Sequence, residues 1–501
     1  MRMLRQFPAI VILALIAAAM MAVPALHAAR GGHWLVARVF FYNGLFLALI
    51  AVLVGLATAN RQPRNAARYH LATLLVAYVV LPLALGAPLA HLIPGLGYGR
   101  AYFEMLSALT TTGSTLVNAP RLLPESVHLW RALVGWAGGL LVLVSAAAIL
   151  APLNLGGFEV RDFDDTRVVG RRAGDVGEAT ARILRNAGRI APVYAVFTGT
   201  LALLLIVAGD RPFVAVCHAM ATLSTSGISP VGGLSGASSG GLGEAAIAVF
   251  LLAAVSHRFL SFRPRLGRHL GLDDPEVRLM LISVLGVTLL LFLRSFIGAS
   301  EIDRQDNLAA AARAVWGGLF TVLSYLTTTG FESVDWRTMQ LWSDLPTPGA
   351  ILLGVAVMGG GVATTAGGVK LLRLYALYRH GQREMELLIH PSSVWPHGRG
   401  PNAITDRGAR VAFVFLMLFL VSIAIVMTAL TAIGLAFEQG LALAIAALTT
   451  TGPAIDALSE GIRYGDLPSA ALAVLCVGMI VGRMEVLVLI ALFNPALWRQ
   501  G

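Results

Sequence analysis

The stretch SYLTTTGFESVDW, residues 324–336, carries the tetrapeptide on which the fold turns. TTTG at 327–330 recurs at 110–113 in SALTTTGSTLV and at 449–452 in AALTTTGPAID. A near-copy, STSG, stands at 224–227 in ATLSTSGISPVGG. The motif glycines Gly113, Gly227, Gly330 and Gly452 are 114, 103 and 122 residues apart. Each motif follows an apolar segment of about ten residues, half of what a bilayer crossing requires. The spacing predicts one unit used four times: helix, short re-entrant helix, Thr/Gly turn, helix.

The surrounding composition belongs to a membrane protein. Of 501 residues, 57% are hydrophobic and 13% charged, with a mean hydropathy of +0.76; soluble domains are far more polar. Ten apolar spans are expected, at roughly 8–28, 35–58, 71–92, 129–153, 190–209, 242–260, 277–299, 348–372, 409–436 and 467–492. The first pair precedes the four units. The fold class read here is an all-α polytopic membrane protein, with four pseudo-symmetric helix–pore-loop–helix repeats around a central pore. MRMLRQ and the apolar run after it have some features of a signal peptide, but the small-residue site at Ala25–Ala28 is imperfect; a retained first helix is expected.

The net charge is +10. Most basic residues fall on alternate loops, which become the inside face if both termini are cytoplasmic. That skew requires no nucleic acid. All four Thr/Gly turns then lie on the outer side. Cys217 and Cys476 sit in apolar settings without partner ligands, so buried packing is expected rather than a metal site or a disulfide.

The repeated turn has a physical logic. Non-helical backbone at membrane depth is tolerated only where protein buries it or water and ions line it. A pore helix that stops halfway aims the negative end of its dipole inward. Glycine reaches positive φ, so consecutive carbonyls can point the same way, and Thr adds hydroxyl oxygens. Four such turns can replace the hydration shell of an alkali cation, as potassium filters do. The candidate filter is Thr111, Thr112, Gly113; Thr225, Ser226, Gly227; Thr328, Thr329, Gly330; and Thr450, Thr451, Gly452. A single TTTG would more simply be a small-residue helix contact. The fourfold context favours the filter.

These residues resemble the Trk/Ktr/HKT superfamily of potassium transporters, and most closely its TrkH branch. The similarity covers nearly the whole chain. It includes the four loops, WRALVGWAGGLLVLVSAAAIL at 130–150, GGGVATTAGGVKLLR at 359–373, and MIVGRMEVLVLIALFNPALW at 479–498. The second loop departs from the family's Asn-Ala-Gly-Phe pattern, reading Thr225-Ser226-Gly227-Ile228. Gly113 favours potassium, since Ser at that place accompanies sodium transport in the plant branch.

The resemblance implies one pore per protomer, K⁺ as the transported ion and no covalent cofactor. It implies a homodimer in the inner membrane and a separate cytoplasmic nucleotide-binding RCK regulator. It also implies an intramembrane gate loop, Gly359, Gly360, Gly361, Thr364, Thr365, Gly367 and Gly368, with Lys370 and Arg483 as the cations beside it. Close helix packing through small residues is the simpler reading of the glycine run. For Lys370, the chain's only lysine, it is a helix-end cation on the positive-inside side. For Arg483 it is a bundle salt bridge with a distant carboxylate, since Glu485 is two positions away and on another face.

Other polar residues are open to two readings. Glu104, Glu332, Asp335 and Glu438 flank the loops, either as cation-attracting groups or as solvated charges. His218 is expected to pack. The expected organisation is a helix pair at 1–62, repeat one at 63–158, a cytoplasmic linker at 159–190, and repeats two to four at 191–272, 273–390 and 391–501. No enzyme is implied: HExxH is absent, as is an aspartate pair in adjacent spans. The alternatives are a sodium-permeable or cation-coupled member of the superfamily and, further off, a polytopic membrane enzyme.

Overall fold

The computed structural model describes residues 8–58, 66–117, 119–120, 123–160, 176–256, 274–299, 307–343, 349–390, 406–458 and 463–493. Every regular element among them is helical. Eight helices are long and apolar enough to cross a membrane, or nine if the bent pair Ser469–Met484 and Val486–Phe493 is one span.

Each repeat supplies an outer helix, a pore helix, a Thr/Gly turn and an inner helix. In the first these are Ala66–Leu92, Tyr98–Leu109, the turn, and Glu125–Ser145, which a π-turn and a 3-10 turn extend to Leu153. The second uses Val176–Val207, Pro212–Ser224 and Gly240–Leu251. The third uses Pro275–Ala299, Asn307–Leu326 and Gly349–Met358, then continues after a loop as Leu371–Ile389. The fourth uses Asp406–Ala432, Phe437–Leu448 and the bent pair. The N-terminal helices Ala9–Met20, Ala22–Arg30 and Trp34–Thr58 pack beside the first repeat.

Burial sorts the layers. Only 28% of the apolar windows in Trp34–Thr58, Arg182–Val207 and Gly408–Ala432 is buried within the chain; their remaining surface suits lipid. In the first pore helix, every residue from Phe103 to Leu109 is buried. The close packing depends on missing side chains. A Cβ on Gly138 would overlap the Leu109 carbonyl, and one on Gly482 the Leu448 carbonyl. Those are the residues just before TTTG in repeats one and four, so both inner helices press backbone-close against the end of their pore helix.

The structure corrects several expected spans. The helix expected at 242–260 ends in a 3-10 turn at Ala254, and residues 257–273 lie outside the description. The span expected at 348–372 stops at Met358. The one expected at 467–492 bends by 89° at Glu485, whose φ of 61° ends the helix. The third pore helix, expected to be short, has 20 residues, because the polar-flanked run before AVWGGLF is helical as well. Residues 161–175 of the expected linker lie outside the description; 159–160 end the 3-10 turn Phe158–Val160, and 176–190 open the 32-residue helix Val176–Val207.

Candidate functional site

Each pore helix ends in the same way. The N–H of Thr112 bonds to the Ser107 carbonyl at 2.8 Å, and that of Thr111 to Ala108 at 2.9 Å. Ser226 to Ala221, Thr329 to Ser324 and Thr451 to Ala446 repeat the first bond, each at 2.9 Å. Thr225 to Thr222, Thr328 to Tyr325 and Thr450 to Ala447 repeat the second, at 3.1, 3.0 and 3.3 Å. This is a Schellman cap, whose turning residue must be left-handed. That residue is glycine in most helices; here it is Thr111, Thr225, Thr328 or Thr450, at φ 53–57°. A β-branched residue in that region is strained by roughly 1–2 kcal/mol. The sequence had assigned the positive φ to the glycines. Gly113, Gly227 and Gly330 do take it, at 78°, 62° and 77°. Gly452 does not; it opens a 3-10 turn with Pro453.

The four turns touch in cyclic order. A Cβ on Gly113 would overlap the Ser226 carbonyl, and one on Gly227 the Thr329 carbonyl. One on Gly330 would sit 3.0 Å from Pro453, and one on Gly452 would overlap Ser114 N. The ring therefore closes with no room for side chains on its glycines.

The hydroxyls have protein partners. Thr110 pairs with Thr112 at 2.8 Å, Ser224 with Ser226 at 3.0 Å, and Thr327 with Thr329 and Thr449 with Thr451 at 3.1 Å. These pairs brace the turns. The hydroxyls of Thr111 and Thr450 accept from Arg483, and that of Thr328 accepts from Gly367 N at 2.8 Å. Thr225 donates to its neighbour's carbonyl, Ser224 O, at 2.7 Å.

Beneath the ring lies the glycine-rich segment. Val369 N and Lys370 N return to the carbonyls of Val357 and Met358, each at 3.0 Å, and pin 359–368 into an Ω-shaped loop. Gly359 and Gly368, both at positive φ, form its neck. Gly361 N bonds to Ala254 O at 3.2 Å, and Val362 N to the Glu276 carboxylate at 2.8 Å. Thr364 closes the loop internally onto Gly361 O at 2.7 Å, and Thr365 donates to Leu223 O at 3.3 Å. A Cβ on Gly360 would reach 2.6 Å from Ala254 O, and one on Gly361 would overlap Val255 O. The loop is thus seated under three quadrants of the ring.

Arg483 ties the fourth side. Its Nε donates to Thr110 O and one Nη to Thr365 O, both at 2.7 Å; the other donates to Thr111 Oγ1 and, at 2.8 Å, to Thr450 Oγ1. All these acceptors are neutral, and among the described residues Arg483 has no ion pair. The distant-carboxylate reading is not what the geometry gives. Lys370 stands at a helix end, as the residue before Leu371–Ile389, but it is 7% exposed and donates to Ala366 O.

The most connected charge near the gate went unread in the sequence. Arg373 is fully buried and bonds to Glu159 at 2.8 Å and Glu485 at 2.6 Å, and its guanidinium lies 3.7 Å from the centroid of the Phe415 ring. Three segments distant in sequence from the gate helix meet on it. The available signal was electrostatic: a charge in an apolar run needs a partner, and Glu485 was in view without one.

The outer acids divide. Glu104 is 2% exposed and takes Arg131 at 2.6 Å, Thr115 Oγ1 at 2.9 Å and Leu116 N at 2.8 Å. It braces the first loop and is neither a solvated charge nor a cation lure. Glu244, unread in the sequence, does the same for the third loop through Trp316, Ser333 and Val334. Asp335 and Glu332 are part-exposed and Glu438 is exposed. Burial, with the nearby Asp456 charge adding to it, pushes the Glu332 carboxyl up to about 7. His218 packs as expected, buried against Phe331 with Nε2 at 2.9 Å from Ser229 Oγ.

Known proteins share this arrangement. The family model TrkH, described as a cation transport protein, matches residues 247–500. The Trk system potassium uptake protein TrkH of Halomonas elongata is 30% identical over 476 residues, 92% of this chain and 94% of that protein. The protein of the same name in Escherichia coli K12 is 29% identical, over 81% of each. The crystal structure of the potassium transporter TrkH from Vibrio parahaemolyticus superposes with a TM-score of 0.82 at 25% identity, covering 99% of this chain and all of that one.

Proposed function

The chain belongs to the TrkH family of cation transport proteins, and from that premise we propose that it takes up potassium through the ring of four Thr/Gly turns. Its relatives are named for potassium uptake. The observation that carries the reading for this chain is the closed ring with an arginine and a loop packed directly beneath it. Its chemistry is dehydration, coordination by backbone carbonyls at 111–113, 225–227, 328–330 and 450–451, and rehydration. Loop 359–368 blocks the path below the ring, with Lys370 holding its end. Arg483 adds an electrostatic barrier: unit charges 4 Å apart interact by about 4 kcal/mol at an effective dielectric of 20. The arrangement corresponds to a shut gate.

The same reading places the protein in the inner membrane with both termini cytoplasmic, as a homodimer. An RCK-type cytoplasmic regulator, a separate chain, moves the loop. The test is competition uptake of Rb⁺ against Na⁺ into liposomes holding the purified chain. Selective Rb⁺ uptake that outcompetes Na⁺ is expected. Equal flux of both ions, or absence of flux that persists when residues 360–367 are deleted, overturns the proposal.

A further inference from the structure

Three ring glycines share one backbone conformation and the fourth does not. Gly113, Gly227 and Gly330 have positive φ, whereas Gly452 begins the 3-10 turn Gly452–Ala454. The exception lies at a special place. Repeats one and two, two and three, and three and four are joined by chain. Repeats four and one meet with no chain between them, and there the ring must close by non-covalent contact alone.

Tyr464 occupies that seam. It sits in the short turn Tyr464–Asp466 after the fourth pore loop and is 5% exposed. Its phenol donates to the Gly452 carbonyl at 2.9 Å. Its ring rests on Phe103 of the first pore helix, centroids 5.9 Å apart. On the other side of the same residue, Gly452 N donates to the Thr112 carbonyl at 2.5 Å. Both polar groups of Gly452 are therefore committed to protein, one to the fourth repeat's own outer turn and one to the first repeat. Among the described residues, no side chain donates to the carbonyl of Gly113, Gly227 or Gly330.

We infer that Tyr464 is a positioning residue for ion selectivity: its hydroxyl holds the Gly452 carbonyl and thereby fixes the width of the ring where the first and last repeats meet. The inference rests on the filter reading above. A carbonyl held by a buried phenol cannot swing toward a small ion, so the ring resists contraction around Na⁺. Without the hydroxyl the carbonyl turns freely, and the ring adapts to the smaller cation. One neutral hydrogen bond sets the expected scale, roughly a five-fold change in ion preference.

Tyr464→Phe is the diagnostic variant, because it keeps the ring against Phe103 and removes only the donor. In proteoliposomes the Rb⁺/Na⁺ uptake ratio should fall roughly five-fold, with maximal Rb⁺ uptake as in the parent and thermal unfolding lowered by no more than the loss of one hydrogen bond. A merely structural tyrosine would shift unfolding and total uptake and leave the ratio alone. The second variant carries 3-fluorotyrosine at 464, which preserves shape and strengthens the donor; its ratio should equal or exceed the parent's. A parental ratio in Tyr464→Phe, or a fall with fluorotyrosine, overturns the inference. Gly113→Ser, run alongside, separates the two levels. If it loses selectivity while Tyr464→Phe does not, the filter stands and the seam role fails. If neither changes, the filter reading itself fails.

Discussion

The ring and the loop beneath it are both built from strained backbone, yet they are held in opposite ways. Seven of the eight non-glycine residues at positive φ belong to these two regions or to the helix break beside them: Thr111, Thr225, Thr328, Thr450, Ala363, Lys370 and Glu485. In the ring, strain is contained locally. Each left-handed Thr is fixed by cap bonds to carbonyls within five residues. In the gate, strain is contained from afar. Apart from the neck bonds to Val357 and Met358 and the internal bond of Thr364, its partners are Ala254, Glu276, Leu223, Thr328 and Arg483, up to 142 residues away. A locally closed element keeps its shape when neighbours shift; one held by distant partners takes whichever shape those partners permit. The difference suits a rigid selector above a movable stop.

The contrast breaks most severely at Arg373. Arg373→Ala leaves Glu159 and Glu485 buried without their partner, a loss of about 3–5 kcal/mol. Thermal unfolding in detergent should shift down by several degrees, and the gate should lose its anchor. An unchanged unfolding profile would mean that the gate is not held through this node.

Gly113→Ser comes next. The added Cβ overlaps the Ser226 carbonyl, and positive φ adds roughly 1–2 kcal/mol for an L-residue. Since about 1.4 kcal/mol is a factor of ten, the Rb⁺/Na⁺ ratio should fall about ten-fold. Ser at Thr112 should do far less. Parental selectivity in Gly113→Ser would remove the first turn from the filter.

The gate variants should behave in the opposite sense. Arg483→Ala, and separately Gly361→Ala, whose new methyl meets Val255 O, should raise Rb⁺ flux several-fold by lowering in part a barrier of about 4 kcal/mol. The ion ratio should stay constant. Any variant of the loop that changed the ratio and not the flux would merge the two regions and defeat the contrast.

How the two regions are held also decides what the sequence reveals. The ring was readable because its determinants are local and repeated: TTTG after a short apolar run is visible four times. What that pattern hid was which residue turns. Glycine is the usual left-handed residue, and only the cap bonds show that a threonine has taken the place. The gate was readable as a glycine run but not as a shape. Glu276, Leu223 and Glu159 carry no mark of their role, because their partners lie 86 to 214 residues away along the chain. Glu485 was legible as a misplaced charge, and only packing paired it with Arg373. The bend at Glu485 had no sequence signal at all, since neither Gly nor Pro stands there.

The smallest expected effect lies at the outer mouth. Glu332, raised to about 7, is neutral in acid and gains its charge as external pH rises past that value. Its negative charge attracts cations, so Rb⁺ uptake at low concentration should fall about two-fold between pH 8 and pH 6. Glu332→Gln should flatten that profile and leave the ratio and the gate variants' flux untouched. A parental pH profile in Glu332→Gln assigns the dependence elsewhere.

Arg483 has one more consequence, in the language of voltage. It is a full charge inside the membrane field, and moving one charge across the whole bilayer at 100 mV is worth about 2.3 kcal/mol. Swinging the guanidinium aside by about a tenth of the roughly 30 Å hydrocarbon depth couples to only about 0.2 kcal/mol, less than a factor of two in open probability. An inside-negative potential draws the arginine away from the ring and so favours opening, but weakly. On the proposed gate reading, the stop should be nearly blind to voltage, and current through the open pore should follow the ion gradient with little steepening.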